Sequence, residues 1–156
     1  MNIFAATLAS LRGLTEFKVT LNGQDDVRNA FVQIISFGIT SSLTIIRCSA
    51  SESLGKLAQV IQIGGSSNSL QGGAQFVADS AQKSFDALRS ARDAVSRTGH
   101  SLALGCPHRS TGLGLGQMGT GRPSAHLHTA VSILLALARD VASPPVQVWA
   151  IHSLTM

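Results

Sequence analysis

The sequence predicts an all-α fold built from about three stacked helix–turn–helix pairs. Three observations carry this. Apolar residues recur at i, i+3, i+4 and i+7 along most of the chain. Matching residues return at a constant step of 50 residues. The core available is aliphatic, because only 4 % of the residues are aromatic while 44 % are hydrophobic.

Asn2 to Leu14 predicts a first helix. Phe17 to Leu21 alternates for five residues and is the one weak strand signal. From Asp25 to Phe37 the stripe Val27, Ala30, Phe31, Ile34, Ile35 and Phe37 predicts a helix. Asp25 and Asp26 suit its positive N-terminal end, and Gly38 offers a stop. Leu43 to Gln62 follows, with Leu43, Ile46, Ala50, Leu54, Leu57 and Ile61 on one stripe. The Gly/Ser-rich segment at about 63–73 reads as a flexible connection. Ala74 to Ser90 is the next helix, facing Phe76, Val77, Ala81, Phe85 and Leu88 inward. Arg92 to Gly105 follows and is expected to end before Pro107. A glycine-rich loop spans about 107–123. Ser124 is placed to cap a helix reaching about Val141. Pro144 and Pro145 open a last helix, Val146 to Met156, since proline is tolerated in a first turn.

The repeat aligns Arg47, Arg97 and Gln147, then Leu54, Leu104 and Leu154, then Gly55, Gly105 and Thr155. Residues 31, 81 and 131 stand one helix earlier in each pair. One helix pair cannot bury its own apolar stripe, so such units stack. Ile46 to Ala58 is close to the second-helix pattern of HEAT repeats: a branched apolar residue and Arg open it, and Ala50, Leu54, Gly55 and Leu57 form its contact stripe. The expectation is a HEAT-like α-solenoid in which residues 1–156 are one segment. Gly99 fits close helix packing, which would offset its helix cost of about 1 kcal/mol.

Composition excludes several classes. Charged residues are 13 %, about half the usual share, so part of the surface is expected to be covered. The net charge is +4, but the basic residues are scattered, with no run of three. Glu52 with Lys56, Asp86 with Arg89, Arg89 with Asp93 and Asp93 with Arg97 stand at helical spacing and read as a solvated face. The aromatic interleaving of a nucleic-acid groove is missing, so no nucleic-acid partner is expected. The run Val131 to Ala138 is too short to span a bilayer, and Met1 to Phe4 lacks a basic leader. Two cysteines, Cys48 and Cys106, make no disulfide scaffold and fit a reducing, cytoplasmic compartment.

Gly114-Leu115-Gly116-Gln117-Met118-Gly119 matches GxGxxG, with Asp140 beyond it. A dinucleotide site needs a buried strand feeding that turn, and residues 107–112 make none. Cys106, His108, His126 and His128 do not have zinc-site spacing, and Cys48 reads as a small packing residue. His100 and Ser101 diverge on a helix, while His152 sits three residues from Trp149 as a packing pair. No GxSxG is present. The reading is therefore a non-enzyme with no catalytic residue, no metal and no cofactor. A nucleotide-binding enzyme using residues 114–119 is the remote alternative.

Ser84-Phe85-Asp86, Ser90 to Asp93, Ser96-Arg97-Thr98-Gly99-His100-Ser101-Leu102-Ala103-Leu104-Gly105-Cys106, Val131 to Ala138 and Gln147 to Leu154 resemble one stretch of the HEAT repeat-containing protein 5 family. Arg47 to Val60 resembles the segment before them, so the likeness covers roughly 40–156. Pro107 stands where the family has Leu, and the loops at 64–73 and 111–122 are expanded. The likeness implies a small slice of such a protein, a short isoform, a divergent copy or an incomplete gene model, with a last helix expected to continue. The resemblance implies a scaffold for AP-1 clathrin adaptor sorting between the trans-Golgi network and endosomes. It implies aftiphilin and gamma-synergin as partners, with peripheral membrane association through them. A generic helical-repeat interaction module, or a non-functional fragment, is the alternative.

Overall fold

The computed structural model describes residues 2–63, 67–111 and 125–156. Seven helices and no strand occur among them: α1 (Ile3–Glu16), α2 (Asp25–Ile39), α3 (Thr44–Gln62), α4 (Ser67–Ser90), α5 (Ala94–Thr111), α6 (Ala125–Ala138) and α7 (Pro144–Leu154). None of the described helices is long and apolar enough to cross a membrane.

Local chemistry starts and stops these helices. The Asn2 side chain accepts the Phe4 N–H at 3.0 Å and caps α1. Phe17 to Leu21, the weak strand signal, is a connection instead; Lys18 there adopts φ +52°, a left-handed turn that ends any extended run. Asp25 and Asp26 occupy the first turn of α2, as its N-terminal dipole favours. Asp93 accepts the Ser96 N–H at 2.7 Å ahead of α5. Pro144 and Pro145 form the first turn of α7, where their missing N–H groups cost nothing.

Three boundaries differ from the sequence expectation. Gly72 and Gly73 lie inside α4, not in a loop, because the start of α4 packs on the end of α3; a Cβ on Gly73 would stand 2.6 Å from Gln62 Cγ. Pro107 does not end α5, which continues to Thr111. Pro107 is buried, and the Thr111 hydroxyl donates to its carbonyl at 2.8 Å. Contacts of this turn with α3 offset the loss of one helical hydrogen bond. The sixth helix stops at Ala138 rather than Val141, because Asp140 takes the Ala142 N–H at 3.0 Å and turns the chain.

Packing follows a regular order. The pairs α2–α3, α4–α5 and α6–α7 each pack together, α3 packs on α5, and α5 packs on α7. Helix α1 lies against α3 on the far side from this progression's end, and α4 also meets α6. Two apolar clusters result. One joins Leu11, Ile35, Ile39, Leu54, Leu57 and Val60 across α1, α2 and α3. The other joins Ala81, Phe85, Leu104, Leu134, Val146 and Ala150 across α4 to α7.

The 50-residue step has a physical counterpart. A Cβ on Gly55 would lie 2.6 Å from the Cys106 carbonyl oxygen, and one on Gly105 would lie 3.2 Å from Ser153 Cα. Two glycines 50 residues apart therefore mark the close approach of α3 to α5 and of α5 to the end of α7. Ser153, 7 % exposed, adds a bond by donating to the Ser101 carbonyl at 2.7 Å.

The ion pairs are not all the local ones. Asp86 does meet Arg89, at 3.8 Å. Glu52, however, pairs with Arg12 of α1, and Arg97 pairs with Asp140 at 2.6 Å rather than with Asp93. Arg89 and Asp93 belong to α4 and to the turn beyond it, so helical spacing does not apply to them. Tertiary stacking supplies partners that outcompete exposed neighbours on one helix.

Arg47 is 7 % exposed. Its guanidinium donates to the carbonyls of Ser41 at 2.7 Å and Ser42 at 3.0 Å and to Thr44 Oγ1 at 3.1 Å, tying the α2–α3 turn to α3. Arg47→Ala is expected to cost about 2 kcal/mol, the loss of charge-assisted bonds from a buried guanidinium to the turn carbonyls. Urea unfolding measures it, and a change under about 0.5 kcal/mol would contradict this role.

Candidate functional site

One face of the α3–α5–α7 layer forms a groove of about 630 Å³. Helix α3 lines it with Cys48, Glu52, Lys56 and Gln59, which fall at steps of three or four and so share a side. Helix α5 adds Leu102, Cys106, Arg109 and Ser110, α7 adds Trp149 and His152, and Met156 follows the end of α7. The groove thus crosses three successive helices.

Its charges are unbalanced. The one acidic side chain of its lining, Glu52, is held by Arg12. Lys56 donates to Gln59 Oε1 at 3.1 Å, a neutral partner. Arg109 is exposed and has no acidic partner among the described residues. Trp149 stands edge-on to His152, with ring centroids 5.5 Å apart, so the predicted packing pair forms and sits in the groove wall.

Both cysteines line this groove. Burial pushes the Cys106 thiol up to about 12, helped by the negative charge of Glu52 and opposed by Arg109. Burial also raises Cys48, with Arg47 pulling the other way. Both are protonated thiols at neutral pH, and nucleophilic attack needs a thiolate. No group of three or more His, Cys, Asp or Glu that could hold a metal occurs among the described residues. His128 is exposed on α6, whereas the side chains of His108 and His126 lie outside the described residues, as does the whole Gly114–Gly119 motif.

A second cavity of about 460 Å³ opens between α2 and α4 over Val32, Ile35, Ile39, Leu54 and Phe76, with His100 of α5 beside them. His100 Nδ1 is buried and lacks a hydrogen-bond partner among the described residues. Ser101, its neighbour, points elsewhere and donates to the Arg97 carbonyl at 2.7 Å. The two do not form a catalytic pair.

These groups set the pH dependence. Burial holds His100 below the ordinary imidazole range, with Asp93 opposing weakly. Folding therefore favours its neutral form, so stability is complete above the unfolded pKa of about 6.5 and falls as pH drops below it. Asp93 is lowered by the Ser96 N–H and Asp140 by the Ala142 N–H and Arg97, so their contributions hold above about pH 4 and are lost on further acidification. Thermal melts are expected to weaken in two stages on acidification. His100→Gln is expected to remove the upper stage alone; an unchanged upper stage would refute the assignment.

No protein-family model matches the chain. No solved structure matches it either.

Proposed function

We propose that this chain is a HEAT-like α-solenoid segment serving as a non-enzymatic protein-binding scaffold. The observation that carries the reading is the recurrence of one close contact at one repeat position, Gly55 on α5 and Gly105 on α7. The exposure pattern supports it. Ser51 and Ser101 are fully buried, while Ile151, at the same position in α7, is 51 % exposed. Such a gradient of cover is what stacked repeats would produce. Grooves across successive repeats are the surfaces such folds use for partners, and the Trp149 groove is of that kind.

The likeness of residues 40–156 to the HEAT repeat-containing protein 5 family supports a narrower role in AP-1 and clathrin sorting, at the cytoplasmic side of Golgi and endosomal membranes. Immobilised chain, shown to be helical by circular dichroism, is expected to retain purified AP-1 and aftiphilin. Retention of neither by folded chain would remove the trafficking role and leave a generic helical-repeat module.

A further inference from the structure

We infer that the groove across α3, α5 and α7 takes an extended acidic peptide segment with an apolar anchor. This rests on the groove being the partner-binding face and goes further by naming what fits it. The charge points one way: Lys56 and Arg109 stand without carboxylate partners among the described residues, and Glu52 is already paired with Arg12. Ser110 adds a hydroxyl beside Arg109. Leu102, Trp149 and Met156 supply apolar lining to the same groove. A ligand matched to this lining brings carboxylates together with an apolar side chain.

The geometry favours an extended chain. Packed helices lie about 8–10 Å apart, and an extended strand rises about 3.3 Å per residue. One helix step then equals about three peptide residues, so a short segment reaches from Lys56 on α3 past Arg109 on α5 to Trp149 on α7. A nucleic-acid strand would need a longer track of cations and several stacking rings, and this groove offers two cations and one indole.

Trp149 is the only tryptophan in the chain, so it reports on its own site. A blocked glutamate-rich peptide carrying one central leucine, titrated at low salt, is expected to shift Trp149 emission saturably. Added salt should weaken binding, because the cations are solvent-accessible. Lys56→Glu with Arg109→Glu is expected to lower affinity about tenfold or more, and Lys56→Gln with Arg109→Gln to lower it in part. The same peptide with lysine replacing glutamate should leave the emission unchanged. No saturable shift with the acidic peptide, an equal shift with the basic one, or indifference to both double variants in chain that remains helical would overturn the inference. The adaptor-retention assay reads a different property, so either result stands apart from the other.

Discussion

Gly99→Ala is expected to destabilise the fold by about 3 kcal/mol, although alanine is the better helix former by about 1 kcal/mol. Gly99 lies inside α5 where α2 ends. A Cβ there would stand 1.8 Å from the Ile39 carbonyl oxygen and 2.9 Å from its carbon. Both are backbone atoms, so no side chain can swing aside. Moving Ile39 would pull on the α2–α3 turn, whose Ser41 and Ser42 carbonyls are already fixed by Arg47. The strain therefore reaches the N-terminal cluster, where Ile39 is 6 % exposed. Gly13→Ala in α1 is the matched control: nothing lies within 4 Å of its Cβ position. It should gain about 0.5–1 kcal/mol through propensity and reduced unfolded-state freedom. Urea unfolding of both variants checks this. Equal effects at the two positions would mean that α2 and α5 do not approach as closely as described.

The contrast between these glycines shows what a sequence can and cannot reveal. The stripes of α2 and α3 are legible because burial repeats at helical spacing, and Leu54, Leu57 and Ile61 do face the core. Gly99 is legible as a close-packing residue, but its contact, the end of α2, is not. Gly72 and Gly73 read as loop punctuation because propensity is local; packing against Gln62 decides otherwise. Pro107 fails as a helix stop for the same reason. Arg97 and Glu52 have acceptable neighbours four residues away, yet they pair across helices with Asp140 and Arg12. The groove residues stand at visible helical spacings on three helices. That these three files share one face depends on stacking, which no single helix encodes.

Phe85→Ala should carry the other large cost, about 3–5 kcal/mol, because it leaves a cavity in a core that cannot close fully. Phe85 is 1 % exposed and sits among Ala81, Leu88, Leu104, Leu134 and Val146. This is a large share of the 5–15 kcal/mol that holds an ordinary domain together. Where the loss is felt is the sharper test. The two apolar clusters meet at α5, where Ala103 belongs to the first and Leu104 to the second. In a stack held by nearest neighbours, weakening one unit loosens that unit before the rest. Amide hydrogen exchange in Phe85→Ala is therefore expected to accelerate first in α4, α6 and α7, while the amides of α3 around Leu57 stay protected. Leu57→Ala, at a site with 0 % exposure, should show the reverse order. Uniform acceleration in both variants would mean that the seven helices open as one block, and the stacked-repeat reading would lose its energetic basis.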